Sequence, residues 1–326
     1  MTYTNKTTGD EVARDCQEHI VNKTILVTGA TPGGLGATFA TTIAQFGPAL
    51  IILASYSVDK AGQTAKAIAD VAPTVKTKVI ELDLASIRQV RQAVKAILAL
   101  DSVIDVIVNN AGVMAAPYGT TKDGIELQFG TNHVGHFLMT NLLLEAQLAK
   151  APSRPVRVVN VSSDGFRYGP VRFEDTSFDD GATYNRWASY GQSKSANMLY
   201  SRSLAQKLGS RGVVSVSLHP GVIFTTNLSR HVATEDFAEL GDLNHKMGYK
   251  SLWGVPLAAK SAAEGVATHV FGAFHPILDN VEHNGAFLSD SKVLDNKLIQ
   301  SWARDLIEAE KLWGLSEGLV SQKFPF

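Results

Sequence analysis

Short apolar runs alternate with helical patterns along much of the chain, and this alternation limits the possible folds more than any other feature. Runs with the composition of buried strands lie at residues 24–27, 50–54, 78–82, 103–108, 156–161 and 213–218. Helical patterns follow at residues 35–46, 59–71, 86–100, 133–149 and 190–208. This order predicts an α/β fold, with a doubly wound parallel sheet in a single Rossmann-like domain spanning residues 1–326.

The two ends of the chain and one internal segment fall outside this alternation. Residues 1–22 are expected to form an N-terminal extension with a helix at about 10–20, and residues 222–258 are loop-like with short helical pieces. Residues 261–271 are predicted to be helical and residues 285–288 to be a last strand. A late helix is predicted at 297–315, around Trp302 and Trp313, within a C-terminal extension at 281–326.

Polar or glycine-rich residues follow every predicted strand. In an open α/β sheet, ligands bind at the carboxyl ends of the strands, so these residues are expected on one edge. They are the stretch 28–36, then Ser55, Tyr56 and Ser57, then Asp83 and Leu84, then 109–112, then Ser162 and Ser163, and finally Pro220 and Gly221.

The stretch 28–36 reads Thr-Gly-Ala-Thr-Pro-Gly-Gly-Leu-Gly and joins a predicted strand to a predicted helix. Glycines in such a turn let backbone N–H groups approach a pyrophosphate at a helix N-terminus, where the helix dipole favours anions. Because a strand precedes it and a helix follows it, we predict a dinucleotide site here rather than an ordinary glycine-rich turn.

Tyr190 and Lys194 stand four residues apart and would share one face of a helix. A cationic Lys beside a Tyr is expected to lower the pKa of the phenol, which suits proton transfer to or from a carbonyl or alcohol oxygen. The same spacing occurs at Tyr56–Lys60 and at Tyr118–Lys122. We favour Tyr190, because only this pair has helical neighbours throughout and a serine pair at the preceding strand end.

Taken together, these stretches resemble the short-chain dehydrogenase/reductase family and are most similar to its retinol-dehydrogenase-like branch. The resemblance rests on motifs in the family's order at residues 28–36, 109–112, 132–137, 159–163, 190–194 and 219–222, and on tail stretches at 287–290 and 311–313. The family's glycine spacing is matched by Gly34 and Gly36 only if one residue is inserted after Gly29, which leaves the part played by Gly33 open.

The resemblance implies four catalytic residues. Tyr190 would be the general acid/base, and Lys194 would lower the pKa of Tyr190 and bind the nicotinamide ribose. Ser163, rather than its rival Ser162, would hydrogen-bond the substrate oxygen. Asn132 would hold a water that links Lys194 to solvent. Besides Tyr190 and Lys194, the implied cofactor contacts are Gly29, Thr31, Gly33, Gly34, Leu35, Gly36, Ser55, Tyr56, Ser57, Lys60, Asp83, Leu84, Asn110, Ala111, Gly112, Pro220, Gly221, Val222 and Thr225.

The end of the second strand bears on the choice of cofactor. An acidic residue there would bind the ribose 2′-hydroxyl of NAD, but this chain has Ser55, Tyr56 and Ser57, with Lys60 nearby. The Arg that related NADP enzymes often place near this position is also missing. Because no carboxylate would repel a 2′-phosphate, and because hydroxyls and Lys60 lie nearby, we expect NADP(H), with NAD(H) as the alternative.

Composition excludes several other classes of protein. The chain has 326 residues, of which 45% are hydrophobic, and its net charge is −1, so neither nucleic acid nor an anionic membrane surface is an expected partner. One cysteine and no apolar run of about 20 residues predict a cytoplasmic protein without a membrane span. His133 and His136 have no third ligand at matching spacing, so we expect helix packing and no metal.

The sequence therefore predicts an NADP(H)-dependent ketoreductase or alcohol dehydrogenase acting on a lipophilic carbonyl or alcohol, retinoid-like or secondary-metabolite-like. The alternatives are a non-redox enzyme of the family, such as a dehydratase or epimerase, and an NADP-sensing binding protein. The family places a substrate lid at residues 222–258, where Phe224, Phe237, Tyr249 and Trp253 line a pocket or pack the lid. A homodimer formed through the helices near Asn132 and Tyr190 is a further expectation from the family.

Overall fold

A central sheet of eight strands organises the computed structural model, which describes residues 2–151, 155–229, 232–233, 235–249 and 259–326. The strands are β1 (Thr24–Thr28), β2 (Leu50–Ser55), β3 (Lys76–Glu81), β4 (Val106–Asn109), β5 (Val156–Val161), β6 (Val213–His219), β7 (Phe287–Ser289) and β8 (Lys292–Val293). The predicted parallel, doubly wound α/β fold is confirmed.

The strand order is β3-β2-β1-β4-β5-β6-β7-β8, and every pair is parallel except β7 with β8. The chain runs outward from β1 to β3 and then returns to β4 on the other side of β1. The crevice between the carboxyl ends of β1 and β4 is therefore the switch point where α/β proteins bind ligands. β8, a two-residue antiparallel strand, is an addition that the sequence patterns did not indicate.

Helices cover both faces of the sheet. They are α1 (Gly9–Asp15), α2 (Gln17–Ile20), α3 (Leu35–Ala44), α4 (Val58–Val71), α5 (Ile87–Leu98), α6 (Leu127–Phe129), α7 (Gly135–Lys150), α8 (Arg186–Leu208), α9 (Asp236–Lys246), α10 (Ala262–Gly265), α11 (Ala267–Phe274) and α12 (Leu306–Leu319). One buried cluster joins α3, α4 and α11 to the sheet, and another joins α5, α7, α8 and α12 to it.

Two predicted helices differ from the structure. The helix expected to start at His133 starts at Leu127 as α6 and passes through a π-helical turn, Gly130–Val134, into α7. The late helix expected at 297–315 is instead a pair of 3₁₀ turns followed by α12. The reason is local: the Asp305 carboxylate accepts the N–H groups of Ile307 (2.7 Å) and Glu308 (3.1 Å), which starts the helix there.

Candidate active site

The glycine-rich loop turns tightly at the end of β1. Gly29 and Gly33 have φ angles of +72° and +77°, a region that disfavours residues with a side chain. A Cβ at Gly36 would lie 2.6 Å from Asn110 Nδ2 and 2.7 Å from the Gly29 carbonyl oxygen, so α3 packs directly on the strand ends. Gly33 thus supplies the left-handed turn, and Gly36 supplies the close approach of helix to strand.

Helix α3 begins beside this loop without a side-chain cap. Gly34 is its N-cap residue, no side chain accepts a hydrogen bond from its first turn, and its first turn carries no acidic residue. Helices α4, α5 and α8, by contrast, are capped by Ser57, Ser86 and Asn185. The free N–H groups and the positive end of the helix dipole fit a dinucleotide pyrophosphate, together with the predicted contacts Thr31 and Leu35.

The Asn110–Gly112 segment lies across the crevice from this loop. The Thr28 hydroxyl accepts the backbone N–H groups of Asn110 and Ala111, both at 2.9 Å, and Asn110 Nδ2 donates to the Thr28 carbonyl at 2.8 Å. A Cβ at Gly112 would lie 3.0 Å from Asn132 Oδ1 and 3.6 Å from Lys194 Nζ. This segment therefore connects the predicted dinucleotide loop to the predicted catalytic residues.

The predicted contacts for the adenosine end lie at the carboxyl ends of β2 and β3. Tyr56 is 75% exposed, and the hydroxyls of Ser55 and Ser57 accept backbone N–H groups of Ser57 (3.3 Å) and Lys60 (3.4 Å). Asp83 accepts the Ala85 N–H at 3.0 Å and pairs with Lys122 Nζ at 2.7 Å. The hydrogen bond and charge of Asp83 raise the pKa of Lys122.

Lys122 is a cation that the motif analysis did not assign to this site. Tyr56 and Arg88 both lie near enough to influence the pKa of Lys122, which places all three side chains in one neighbourhood. It comes from the loop before α6, and its only signal in the sequence was the chance-prone Tyr118–Lys122 spacing. Leu84, the other predicted contact at this end, is buried, and its carbonyl would lie 2.5 Å from a Cβ at Gly135.

Asn132 lies inside the π-helical turn, buried between two neighbours. Its Oδ1 accepts the Val113 N–H at 2.8 Å, and its Nδ2 donates to the Val113 carbonyl and to Ser193 Oγ, both at 2.9 Å. Its backbone carbonyl accepts from His136 Nδ1 at 3.0 Å. The side-chain amide thus faces protein partners, and its role in holding a water stays a prediction.

Ser163, Tyr190 and Lys194 meet at the end of β5. The Ser163 side chain lies close enough to Tyr190 to act on the pKa of its phenol. The Ser163 hydroxyl accepts the Gly165 N–H at 3.0 Å, and Lys194 Nζ lies 5.5 Å from the centre of the Tyr190 ring. Lys194 Nζ also donates to the Val161 carbonyl at 3.0 Å. The rival serine points elsewhere, because the Ser162 hydroxyl donates to the Lys194 carbonyl at 2.8 Å.

Burial controls the charges in this cluster. Burial raises the pKa of Tyr190 to about 12, against the opposing effect of the Ser163 hydrogen bond, and burial lowers the pKa of Lys194 to about 7. In the protein alone, burial therefore dominates the pKa of Tyr190, and the lowering of this pKa by Lys194 stays a prediction. The physical reason is that transferring the phenolate from water to the buried site costs more free energy than a partly protonated Lys194 amine can offset.

The segment after β6 forms the other side of the crevice. Gly221 has a φ of +97°, and a Cβ there would lie 2.5 Å from Lys260 Cδ. The Val222 carbonyl accepts the Lys260 N–H at 2.9 Å, and Lys260 is paired with Asp290. Pro220 and Val222 lie in this turn, and Thr225 is exposed just beyond it. Lys260 is a second cation that the motifs did not indicate.

Comparison with known proteins agrees with this arrangement. Residues 23–174 match the family model described as short chain dehydrogenase. The chain is 36% identical over 326 residues to the chloroplastic short-chain dehydrogenase TIC 32 A of Brassica napus, covering 98% of this chain and 94% of that one. It is also 36% identical over 309 residues to retinol dehydrogenase 14 of Mus musculus, covering 91% and 86%.

The chain belongs to the short-chain dehydrogenase/reductase family. Its relatives place it in the retinol-dehydrogenase-like branch of that family. A solved structure of an uncharacterized protein from Mycobacterium paratuberculosis is similar in fold, with a TM-score of 0.70 and 30% identity, covering 94% of this chain and 96% of that one. The protein is accordingly an NAD(P)-dependent oxidoreductase that acts on an alcohol or carbonyl group of a small molecule.

In this short-chain dehydrogenase, glycines that the motifs did not indicate position the predicted catalytic residues. A Cβ at Gly165 would lie 2.6 Å from Tyr190 Cε1, and a Cβ at Gly191 would lie 2.8 Å from the Gly169 backbone nitrogen. Glu126 also supports the site, because its carboxylate accepts the N–H groups of Gln128 (3.0 Å) and Phe129 (2.7 Å) at the start of the helix that carries Asn132.

Helix α9 covers the site of the enzyme on the side of Tyr190. Its residues Phe237, Leu240 and Leu243 join an apolar cluster with Trp187 and Tyr168. Of the other aromatic residues expected in the lid, Phe224 is exposed, and the Tyr249 hydroxyl donates to the Arg167 carbonyl at 3.2 Å. Trp253 lies outside the described residues.

Within residues 2–151, 155–229, 232–233, 235–249 and 259–326, no three His, Cys, Asp or Glu side chains are grouped so that they could hold a metal ion. None of the helices built from those residues combines the length and the apolar character needed to cross a membrane. His133 contacts Ser316, and His136 contacts Thr28.

Proposed function

We propose that this enzyme is an NADP(H)-dependent ketoreductase or alcohol dehydrogenase acting on a lipophilic carbonyl or alcohol. The observation that carries this proposal is that Tyr190, Ser163 and Lys194 come together at the sheet edge that also carries the uncapped start of α3. A phenol, a hydroxyl and an amine placed together suit proton transfer to a carbonyl oxygen that gains negative charge.

Each catalytic residue has a defined task in this proposal. The nicotinamide cofactor supplies or accepts the hydride when bound. Tyr190 donates its phenolic proton to the substrate oxygen during reduction and takes it back during oxidation. Ser163 donates a hydrogen bond to the same oxygen, and Lys194 supplies positive charge beneath the phenol. Asn132 holds the backbone of Val113 and the Ser193 hydroxyl, and by family resemblance it also holds a water.

A preference for NADP(H) over NAD(H) follows from the charges at the adenosine end. The end of β2 carries Ser55, Tyr56 and Ser57, so it presents no carboxylate to repel a 2′-phosphate. Lys122, Arg88 and Lys60 lie on the elements around Tyr56 and add positive charge. Because Asp83 partly offsets Lys122, the expected preference is moderate.

A lipophilic substrate follows from the composition of the covering helix. The side chains that α9 turns toward Tyr168 and Trp187 are apolar, and burying apolar substrate surface against them is favourable. We therefore propose that residues 222–258 act as the substrate lid, with residues 1–22 and 281–326 as extensions of the single domain. Retinoid-like or secondary-metabolite-like molecules fit this description.

We make two further proposals, one about the assembly of this protein and one about its location in the cell. Helix α12 packs on α7 and α8, the helices through which the family would form a homodimer, so a dimer of this chain would need another surface. A cytoplasmic location is favoured by the single cysteine, Cys16, which is buried.

A pair of Tyr to Phe variants tests the catalytic assignment. Tyr190→Phe should reduce turnover of an aromatic or long-chain ketone by at least about 100-fold and leave the Kd for NADPH within about twofold. Tyr118→Phe, in the alternative Tyr-x-x-x-Lys pair, should keep wild-type turnover. If Tyr190→Phe remains active, Tyr190 is not the acid/base.

Titration of the protein fluorescence with NADPH and NADH tests the cofactor preference. We expect NADPH to bind about tenfold more tightly, which corresponds to about 1.4 kcal/mol. Equal or tighter binding of NADH contradicts the proposal. Tight binding without any oxidation of NADPH across a ketone panel would favour the sensor alternative, and product without net NADPH consumption would favour the dehydratase or epimerase.

A further inference from the structure

His136 is a buried histidine beside the catalytic turn that the proposed mechanism does not use. It is the second residue of α7 and is 2% exposed. Its Nδ1 lies 3.0 Å from the Asn132 carbonyl oxygen, and its Nε2 lies 2.8 Å from the Thr28 hydroxyl. It therefore bridges the predicted catalytic turn and the end of β1, from which the glycine-rich loop starts.

The partners of His136 fix the direction of each hydrogen bond. A carbonyl oxygen can only accept, so Nδ1 carries the proton and Nε2 is the acceptor. The Thr28 hydroxyl must then donate to Nε2. Both lone pairs of that hydroxyl remain available, and they accept the N–H groups of Asn110 and Ala111 at 2.9 Å. The Val108 carbonyl, 3.5 Å from the Thr28 hydroxyl, is the weaker acceptor for its proton, so the 2.8 Å contact with His136 Nε2 is favoured. Hydrogen bonds linked in this way form a rigid polar network.

The network continues to the catalytic tyrosine. Asn132 Nδ2 donates to Ser193 Oγ at 2.9 Å, and the Ser193 hydroxyl donates to the Tyr190 carbonyl at 2.8 Å. An unbroken path therefore runs from Thr28 through His136, Asn132 and Ser193 to Tyr190. The π-helical turn supplies Asn132 to this path, and α7 supplies His136.

A neutral imidazole is required for this arrangement. Burial lowers the pKa of His136 to about 4, and the nearby charge of Lys194 acts in the same direction. His133 is the other titratable group close to the ring. A protonated His136 would offer a second N–H to Thr28 and leave the Thr28 hydroxyl proton only the more distant Val108 carbonyl, at 3.5 Å, as acceptor.

We propose that His136 is a positioning residue that holds the cofactor-side segment Asn110–Gly112 and the catalytic turn of Asn132 in register with each other. This inference rests on the proposed roles of Asn132, Lys194 and Tyr190. Loss of the imidazole frees the Thr28 hydroxyl to rotate and the Asn132 carbonyl to shift. Both cofactor binding and the chemical step suffer, although His136 touches neither reactant.

His133 provides a matched control for this proposal. It lies three residues earlier, is 1% exposed, and bonds Ser316 Oγ in α12 at 2.7 Å through its Nε2. Its loss removes a buried hydrogen bond of similar length on the side of α7 that faces α12. A purely structural effect should therefore be similar for the two histidines.

The experiment compares His136→Leu with His133→Leu in the full-length chain. We expect His136→Leu to raise the Kd for NADPH at least fivefold and to lower kcat at least tenfold, whereas the KM for the ketone changes less than threefold. His133 lies in the same π-helical turn as Asn132, but its hydrogen bond leads to α12 and not to Thr28. His133→Leu should therefore lower Tm by a similar amount and change Kd and kcat by clearly smaller factors than His136→Leu. Equal effects of the two variants on Kd and kcat, at equal folded fraction, overturn the proposal.

Two conservative variants keep the test decisive if His136→Leu does not fold. The amide of His136→Asn can replace the Nδ1 donor, and that of His136→Gln can replace the Nε2 acceptor. We expect His136→Asn to recover more of kcat and His136→Gln to recover more of cofactor affinity. Wild-type values in both, or no difference between them, contradict the proposal. The Kd measurement needs no turnover, so it stays informative if Tyr190 is not the acid/base.

Discussion

At the scale of single residues, burial gives Tyr190 and Lys194 opposite shifts. The pKa of Tyr190 rises to about 12 and that of Lys194 falls to about 7, because the apolar surroundings disfavour the charged form of each. Near neutral pH the protein therefore holds a protonated phenol beside an amine that is about half charged. This state is ready to donate a proton, which suits carbonyl reduction.

The activity of the enzyme should depend on pH accordingly. Below about pH 7 Lys194 is charged and Tyr190 is protonated, so kcat/KM for ketone reduction should be high there and should fall as pH rises through about 7. Alcohol oxidation needs the phenolate and should rise toward alkaline pH. Initial rates in both directions from pH 5 to pH 10 check this, and a reduction rate that rises above pH 7 would contradict it.

Gly165 offers a second residue-scale prediction. A Cβ at this position would lie 2.6 Å from the Tyr190 ring, so Gly165→Ala should displace the ring and lower kcat at least tenfold. Gly62→Ala is the control, because a Cβ there meets open space in α4, and it should stabilise the protein by roughly 0.5–1 kcal/mol. Steady-state rates and urea unfolding of both variants measure these effects, and a fully active Gly165→Ala enzyme would show that the ring is free to move.

At the scale of elements, α12 completes the helical layer over α7 and α8. The Trp313 ring contacts Phe137 with ring centres 5.1 Å apart, and Lys207 Nζ lies 4.9 Å above it. The Ser203 hydroxyl donates to the Ala309 carbonyl at 2.9 Å. The C-terminal helix is therefore part of the core, although it follows the last strand of the sheet.

Removing the Trp313 ring should cost much of the stability of the enzyme. Trp313→Ala should lower the free energy of unfolding by about 3–5 kcal/mol, because the buried ring leaves a cavity. Ile307→Ala on the same helix is the control. Its side chain is 69% exposed, and its change should stay within about 0.5 kcal/mol. Urea unfolding at pH 7 separates the two, and similar losses would mean that α12 is not docked in solution.

At the scale of the whole molecule, buried neutral histidines make the fold sensitive to acid. Burial lowers the pKa of His133 to about 3 and those of His136 and His269 to about 4, below the usual value of about 6.5. Between pH 6.5 and 4 the unfolded chain therefore binds protons that the folded protein does not. Stability must fall as the pH falls through this range.

The expected loss at pH 5 is about 1–2 kcal/mol for each of these histidines. Urea unfolding at pH 7 and pH 5 measures it. His133→Gln should reduce the difference in unfolding free energy between pH 7 and pH 5 by about 1–2 kcal/mol, the contribution of one histidine. His245→Gln, at an exposed position of α9, should leave that difference as it is in the wild type. An unchanged difference in His133→Gln would mean that His133 titrates normally in the folded protein.

Sequence alone was enough to predict the order of strands and helices, the sheet edge that carries the candidate site, and the family's motif residues. It could do so because side-chain direction repeats with a local period in strands and helices, and because turns need particular residues such as Gly29 and Gly221. The same local rules missed the start of α12 at Asp305 and the π-helical turn at Asn132, where a single capping group or an extra residue per turn changes the outcome.

Which distant groups meet depends on the packing of the whole molecule. His136 bonds Thr28 across 108 residues, and His133 bonds Ser316 across 183 residues, so no local pattern could reveal either contact. The raised pKa of Tyr190 likewise depends on burial by elements far away in the chain. Burial and long-range hydrogen bonds belong to the packed molecule, and they turn a common Tyr-x-x-x-Lys spacing into a defined site.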